Sequence, residues 1–199
     1  MENLRDYFDR HASSWDEMLK YGEKVSELTE VVNWFRLADG YSILDIGTGT
    51  GILLPLLKEA ISKEGRLIAI DFSFKMIEMA KLRQCLGDKF LINADVESLP
   101  FQSDLFDRII CFSAFPHFHN KARALLEMVR VLKSGGTLFI THLKSVEELN
   151  QFHRQLGGPV AHDFLPHPAR IEELLKDAGL YKISIINQPG KFLAQGSKI

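Results

Sequence analysis

From about residue 42 onward, short apolar runs alternate with amphipathic stretches, and this alternation restricts the possible folds more than any other feature of the chain. Five runs are typical of buried strands, and they cover residues 42–46, 67–71, 90–95, 107–113 and 137–142. Two further runs, YKISII and KFLAQ, flank the turn sequence NQPG and predict a hairpin. Stacked strand–helix units predict an α/β fold with a doubly wound open sheet, which binds ligands at the carboxyl ends of its strands.

Capping and turn residues predict where the helices begin and end. Ser73 is a suitable N-cap for FKMIEMAKLRQ, and Gly87 predicts the end of that helix. KARALLEMVRVL is a predicted helix that KSGG, residues 133–136, breaks before the last parallel strand. SVEELNQFHRQL has helical spacing and is followed by the helix-breaking residues 157–159. The first forty residues predict two more helices.

The composition disfavours several classes of partner. The chain has 199 residues, enough for one ordinary domain, with 24 Lys and Arg against 26 Asp and Glu and a formal net charge of −2. That balance gives no electrostatic attraction to a phosphate backbone, so a nucleic-acid partner is not expected. No apolar run approaches the length of a membrane span, and the start MENLRDYFDR lacks the apolar core of a secretory signal. Cys85 and Cys111 lie far apart and are typical of buried reduced thiols in a cytoplasmic protein.

A glycine-rich loop, residues 45–51 (DIGTGTG), follows the first predicted strand and opens a helix. The dinucleotide fingerprint G-x-G-x-x-G does not match, because Ile52 stands where that fingerprint has glycine or alanine. No GK[ST] sequence follows, so the loop is not a P-loop either. The pattern therefore predicts a ligand that lies close to the backbone, without pyrophosphate as the obvious choice.

Beyond the loop, the segments LIAID, NADVESLPF, FDRIICFSAFPHF and LKSGGTLFI occur in an order and spacing that resemble the class I S-adenosylmethionine (SAM) dependent methyltransferases. The resemblance runs from about residue 41 to 142 and is to the small-molecule branch, similar to methyltransferase type 11. It implies a Rossmann-like, seven-stranded, mostly parallel sheet with strand seven antiparallel. It also implies methyl transfer from SAM, with S-adenosylhomocysteine as the product. Ser134 stands where the family usually has proline, which should affect only the turn.

The loop supplies half of the cofactor residues that we expect. Gly47, Gly49 and Gly51 lack Cβ atoms, so a ligand can lie against the turn and the helix that follows, and Thr48 lies between them. Asp45 is anionic and suits the cationic methionyl end of SAM, although it could instead mainly brace the loop backbone.

The resemblance places the other cofactor residues at strand ends. Asp71, ending strand two, implies an acceptor for both ribose hydroxyls, and Phe72 beside it offers an apolar face to adenine, unless it is only a core residue. Asp95, ending strand three, resembles the family's acceptor for the adenine amino group, and Val96 would supply a backbone donor. Ser113, at the end of strand four, should line the methionine moiety and its sulfur.

Three histidines are the candidates for contact with the methyl acceptor. His117 follows strand four and His142 ends strand five, so both fall at the carboxyl edge where the methyl group should emerge. His153 shares the apolar stripe of the helix 146–156 and should face inward, either as a pocket residue or as an ordinary core histidine. We expect His142, with His117 or His153, to act as the base or to anchor the acceptor.

The remaining histidines have other expected positions. His162 and Asp163 precede the last helix, in a segment, residues 143–168, that we expect to cover the acceptor, whereas His119 and His167 should be exposed. Residues 1–40 should form a helical cap within a single methyltransferase domain, residues 1–199. No metal is expected; His142, His153, His162 and Asp163 have the right ligand chemistry, but their spacing matches no metal motif.

Three alternatives to a small-molecule methyltransferase stay open at this point. One is a metal-assisted methyltransferase with a histidine-bound cation, and a second is a non-catalytic module that only binds SAM. The third is an RNA methyltransferase, which would need a basic face. Strand four ends in CFSAF rather than the [DN]-PP-[YF] signature of base amino-group methylation, so a small-molecule acceptor is favoured, with no nucleic acid and no membrane as partner.

Overall fold

The computed structural model describes residues 3–83 and 90–199, and its centre is one seven-stranded sheet. The strand order is β3-β2-β1-β4-β5-β7-β6. The first five strands are parallel, whereas β7 runs antiparallel to both β5 and β6. The predicted doubly wound, mostly parallel sheet with strand seven antiparallel is confirmed. The strands are β1 Ser42–Ile46, β2 Arg66–Asp71, β3 Leu91–Asn93, β4 Phe106–Phe112, β5 Leu132–His142, β6 Leu180–Gln188 and β7 Lys191–Lys198.

The KSGG segment does not separate a helix from a strand as expected, because it lies inside β5. The register with β4 jumps from Phe106 opposite Leu132 to Arg108 opposite Thr137, so residues 133–136 form a bulge. A bulge accommodates extra residues on one strand without ending the ladder, and glycine allows the required backbone turn. Strand β3 is shorter than the predicted 90–95, and it ends two residues before Asp95.

Eight α-helices occur in the described ranges, and five of them lie beyond β1. They are α1 Leu4–His11, α2 Trp15–Met18, α3 Val25–Trp34, α4 Leu54–Ala60, α5 Phe74–Lys81, α6 Lys121–Val131, α7 Val146–Leu156 and α8 Pro168–Asp177. Ser73 caps α5 as predicted, with its hydroxyl accepting from the Met76 N–H at 3.1 Å. Ser145 and Glu148 form a reciprocal capping box at the start of α7. Gly87 and Cys85 lie outside the described residues, whereas Cys111 is a buried free thiol.

The N-terminal segment has three helices rather than the two that its apolar pattern predicted. Lys20 adopts a left-handed backbone conformation, φ 53°, and a 3-10 turn at Tyr21–Glu23 follows it, so α2 and α3 are separate helices. Helix α1 packs beside α5, where the Asp9 carboxylate accepts from the Ser73 hydroxyl. None of the helices in the described parts of the chain is long and apolar enough to cross a membrane.

The core has a large apolar cluster on each face of the sheet. One cluster includes Leu44, Ile109 and Ile140, and the other includes Ile43, Ile110 and Phe139. Alternate residues of each strand therefore enter opposite clusters, as expected for a sheet covered by helices on both faces. The strand order reverses between β1 and β4, so the crevice outside their carboxyl ends is the expected place for a ligand.

Candidate functional site

A cavity of about 1030 Å³ opens at the carboxyl ends of β1, β2, β4 and β5. The N-terminal helices form one wall, and α7 with the 3-10 turn Gly158–His162 forms another. Thirteen residues were predicted for the site, and twelve of them line this single cavity. They are Asp45, Gly47, Thr48, Gly49, Asp71, Phe72, Asp95, Val96, Ser113, His117, His142 and His153.

The three loop glycines differ in what they allow. Gly47 has φ +68°, and a Cβ there would come within 2.3 Å of the Ala114 Cβ, so only glycine fits. Gly49 has φ +55° and nothing within 4 Å of its Cβ position, which leaves the backbone open on that side. Gly51 is the predicted residue that does not line the cavity; a Cβ there would lie 2.8 Å from Leu54 Cδ1. Gly51 therefore serves close packing behind the loop.

Asp71 ties the loop to the end of β2. Its carboxylate accepts from the Gly49 N–H at 2.8 Å and from the Ser73 N–H at 2.9 Å. Burial raises the pKa of Asp71 to about 6 despite these hydrogen bonds. The Phe72 backbone also hydrogen-bonds to this carboxylate, so of its four lone pairs about one is left to accept from a ligand in the cavity.

Asp45 is the more strongly perturbed carboxyl group. It is 3% exposed at the end of β1, and burial raises its pKa to about 7, with the neighbouring Asp71 charge adding to the shift. The side chain therefore lies in a place where an anion is costly without a cationic partner. Because Asp45 also lines the cavity, a positively charged ligand group beside it would favour its ionised form.

The other predicted cofactor residues form the side of the cavity near β2 and β3. The Phe72 ring meets the Phe8 ring edge-on at 5.6 Å, so its outer face is covered by α1. Asp95 is exposed and accepts from the Glu97 N–H at 2.9 Å, whereas Val96 is buried. Ser113, just after β4, has φ 56°, a left-handed conformation that is strained for a residue other than glycine.

His117 and Asp163 form a hydrogen-bonded pair across the cavity. His117 Nδ1 lies 2.7 Å from Asp163 Oδ2, and both side chains are largely buried, at 12% and 21% exposed. An ionised carboxylate can only accept, so Nδ1 carries the proton and Nε2 holds the lone pair in the neutral ring. The Phe8 ring packs edge-on against His117 at 5.0 Å and limits its rotation.

His153 has its tautomer fixed in the same way. Its Nδ1 lies 2.5 Å from the Asp163 backbone oxygen, which can only accept, so Nδ1 is again the donor. Its ring lies 5.0 Å from that of His117, and its side chain faces inward from α7 as the apolar stripe predicted. Burial lowers the pKa of His153, and the nearby His117 lowers it further. His153 is therefore a neutral residue at pH 7.

His142 is the most deeply buried of the three histidines. It is 1% exposed, and neither ring nitrogen has a hydrogen-bond partner within the described ranges. Burial lowers its pKa to about 3, with His117 and His153 as smaller contributors. A buried neutral imidazole without partners is costly, and a ligand with a donor or acceptor in this cavity would remove that cost.

Of the four residues considered as weak metal ligands, His153 and Asp163 are already hydrogen-bonded and His162 faces solvent, whereas His142 is buried without a partner. In residues 3–83 and 90–199, no three His, Cys, Asp or Glu side chains are arranged to hold a metal ion. His119 and His167 are exposed, as expected, although His119 borders the cavity.

Several cavity residues were not singled out from the sequence. Phe8 contacts both Phe72 and His117, and Tyr21 packs against Phe112 at 6.3 Å between ring centroids. Tyr21 is fully buried, and burial raises its phenol pKa well above the usual value. The helical apolar spacing of the N-terminal segment signalled inward faces, but not which part of the sheet those faces would cover.

Comparison with known proteins agrees with this geometry. Residues 44–140 match a family model described as a methyltransferase domain. An uncharacterized protein of Methanocaldococcus jannaschii is 34% identical over 139 residues, which is 69% of this chain and 51% of that protein. The ubiquinone/menaquinone biosynthesis C-methyltransferase UbiE of Vibrio campbellii is 29% identical over 181 residues, 78% of this chain and 70% of that protein. The chain thus spans about half the length of the first relative.

Solved structures support the fold. A SAM-dependent methyltransferase from Aquifex aeolicus superimposes with a TM-score of 0.71 at 24% identity, covering 92% of this chain and 98% of that one. At this identity the similarity concerns the sheet and its helices. This chain gives independent evidence for the same fold in its strand order, its glycine loop and the acidic residues at its strand ends.

Proposed function

The chain belongs to the class I SAM-dependent methyltransferases, and we propose that it transfers a methyl group from SAM to a small-molecule acceptor bound against its buried histidines. The observation that carries the proposal is one cavity that joins two different halves. One half contains the open glycine loop and strand-end carboxyl groups, and the other contains His117, His142 and His153. A binding module for SAM alone would not need the second half.

The cofactor half suits SAM on three counts. The open backbone at Gly49 leaves room for a ligand beside the loop, and the Asp71 carboxylate, which lines the cavity, suits a ribose hydroxyl donor. Asp45, with its raised pKa, suits a cationic group. Phe72, Asp95 and the other predicted residues of this half complete the set: Gly47, Thr48, Val96 and Ser113. When bound, SAM supplies an electrophilic methyl group on a positively charged sulfur and leaves as S-adenosylhomocysteine.

In the acceptor half, we assign the base to His117 rather than to His142. Asp163 holds His117 in the tautomer with a free Nε2 lone pair and can stabilise the imidazolium that forms. Nε2 would take the hydroxyl proton of the acceptor, which leaves an electron pair on its oxygen or, by conjugation, on a ring carbon for the bond to the methyl group. SAM, when bound, would keep the electron pair of its carbon–sulfur bond on sulfur, and methylation on carbon would also release the proton of that ring carbon to solvent. His142, with a pKa of about 3, is a poor base and serves to anchor the acceptor by hydrogen bonding.

The proposed acceptor is an aromatic hydroxy compound, methylated on the ring or on oxygen. Support comes from the aromatic side chains that line this half, among them Phe8, Tyr21, Phe112 and Phe152. The names of the UbiE relatives, which describe quinone biosynthesis C-methyltransferases, point to the same class. In this proposal residues 1–40 cap the cavity and residues 143–168 cover the acceptor. A cytoplasmic location belongs to the same proposal, supported by the buried free thiol of Cys111.

Calorimetry with SAM and a methyl-transfer screen test the two halves separately. Asp71→Ala should weaken SAM binding by more than tenfold, on the order of the loss of one or two charge-assisted hydrogen bonds. Asp39→Ala, an exposed carboxylate outside the cavity, is the matched control and should bind SAM normally. An unaffected Asp71→Ala variant would overturn the cofactor assignment. Tight SAM binding with no transfer to any phenol, quinol, amine or thiol would instead favour the non-catalytic module.

The role of the histidine pair has its own test. Asp163→Asn should lower turnover by roughly 10²-fold and shift the pH–rate profile, while SAM affinity stays the same. Unchanged turnover would show that Asp163 does not position the base. His142→Leu should raise KM for the acceptor more than it lowers kcat, because an anchor contributes binding in the ground state as well.

A further inference from the structure

The two ends of the cavity carry opposite charges. Its acidic side chains lie mainly around the cofactor half, whereas lysines border the acceptor half. The acidic residues there are Asp45, Asp71, Asp95 and Glu97, and the lysines are Lys20, Lys24 and Lys144. Arg5 and Lys121 also line the cavity, and Asp163 lies beside the histidines. The following inference rests on the proposed function, since it concerns the acceptor of that same site.

Lys24 holds its ammonium group at the cavity wall. Its Nζ donates to the Leu19 backbone oxygen at 2.7 Å and lies 5.7 Å from the centre of the Tyr21 ring. Partial burial lowers the pKa of Lys24, and the positive charge of Lys144 is the next largest cause. Its acidic neighbours, Glu27 and Glu23, partly oppose this lowering, but both are exposed and neither lines the cavity.

Lys144 approaches from the opposite element, two residues after the end of β5. Its Nζ lies 5.2 Å from the centre of the Phe152 ring, which also lines the cavity. Throughout residues 3–83 and 90–199, no salt bridge joins Lys24 or Lys144 to a carboxylate. The two ammonium groups thus repel each other, and each lies beside an aromatic ring. The carboxylate that interacts electrostatically with Lys144 is Glu148, which is exposed and does not line the cavity.

We propose that Lys24 and Lys144 bind an anionic oxygen group, a carboxylate or phosphate, carried by the aromatic acceptor. An anion placed near both would turn their repulsion into two charge-assisted hydrogen bonds. The Tyr21 and Phe152 rings beside the ammonium groups suit an aromatic body attached to that anion. The acceptor's reacting hydroxyl would then face the histidines while its acidic group faces the lysines.

Calorimetric titration with benzoate, phenyl phosphate and the neutral isostere benzamide tests this site. The titrations are done on the protein both with and without saturating S-adenosylhomocysteine. We expect benzoate or phenyl phosphate to bind at least about tenfold more tightly than benzamide, because a hydrogen bond to a charged group contributes about that much affinity. The preferred anion of the two identifies the acidic group. Because no methyl transfer is required, failure of the proposed reaction would not be confused with failure of this subsite.

Variants identify the groups responsible. Lys24→Gln and Lys144→Gln should each reduce the preference for the anion, and Lys144→Glu should reverse it in favour of benzylamine. Lys63→Gln, an exposed lysine outside the cavity, is the matched control, and thermal melting confirms that each variant is folded. Equal binding of benzoate and benzamide, no binding of any probe, or an anion preference that persists in the Lys24→Gln, Lys144→Gln double variant would overturn the proposal.

Discussion

Replacing Asp45 by asparagine should have opposite effects on folding and on SAM binding. The carboxyl group is 3% exposed, and burial raises its pKa from 3.8 to about 7. At pH 8 the group is ionised in both the folded and the unfolded chain, so the folded state carries the full cost of the buried charge. A shift of about three pKa units corresponds to about 4 kcal/mol. Asparagine has nearly the same shape without the charge, so the variant should be more stable at pH 8.

The pH dependence gives the sign of this effect. The pKa of Asp45 is higher in the folded state, so folding takes up a proton between about pH 4 and pH 7, and the cost of the charge falls as the pH falls. The stability gain of Asp45→Asn should therefore be largest at pH 8, at most about 4 kcal/mol, and below about 2 kcal/mol at pH 5. Urea unfolding followed by circular dichroism at both pH values measures the difference.

SAM binding should change in the other direction. If the cationic end of SAM needs ionised Asp45, the affinity of the unsubstituted protein should fall about tenfold between pH 8 and pH 6, because the group is about nine-tenths protonated at pH 6. The Asp45→Asn variant should bind SAM weakly at both pH 6 and pH 8, and most of the pH dependence of its affinity should be lost. Asp71, with a pKa of about 6, adds a smaller pH dependence to the SAM affinity of both proteins. A variant that is more stable yet binds SAM normally would refute the reasoning and leave Asp45 as a brace of the loop.

Three further predictions concern other parts of the site. His142→Leu removes two unpartnered buried nitrogens and should raise the free energy of unfolding by about 1 kcal/mol in urea titrations; a loss of stability would contradict the assignment of an unsatisfied ring. Gly47→Ala places a Cβ 2.3 Å from the Ala114 Cβ, at a residue whose φ is +68°. The variant should lose about 2 kcal/mol or more of its unfolding free energy in thermal melting, and SAM binding should be abolished. A normal melting curve would contradict this prediction. Asp16→Asn weakens the salt bridge from α2 to Arg83. It should speed hydrogen exchange in residues 3–40 while changing the free energy of unfolding by less than about 1 kcal/mol. Unchanged exchange would show that this salt bridge does not hold the N-terminal helices in place.

The sequence by itself determined the sheet, the glycine loop and which strand-end residues meet beside that loop. The reason is that these features depend on local patterns: apolar runs give strands, and the carboxyl ends of parallel strands meet at one edge. Asp45, Asp71 and Gly49 are therefore brought together by topology alone, once the strand order is known. Even here the local pattern has limits, since KSGG was expected to separate a helix from the following strand and instead forms a bulge inside β5.

Only the tertiary structure decided what each histidine can do. His117 and Asp163 are 46 residues apart in the chain, and no spacing rule predicts their hydrogen bond. From the sequence, His142 was the first candidate for the base, but its deep burial and lack of hydrogen-bond partners favour the neutral anchor that we propose. Protonation depends on desolvation and on neighbours from distant segments, both of which arise only when the helices close over the sheet edge.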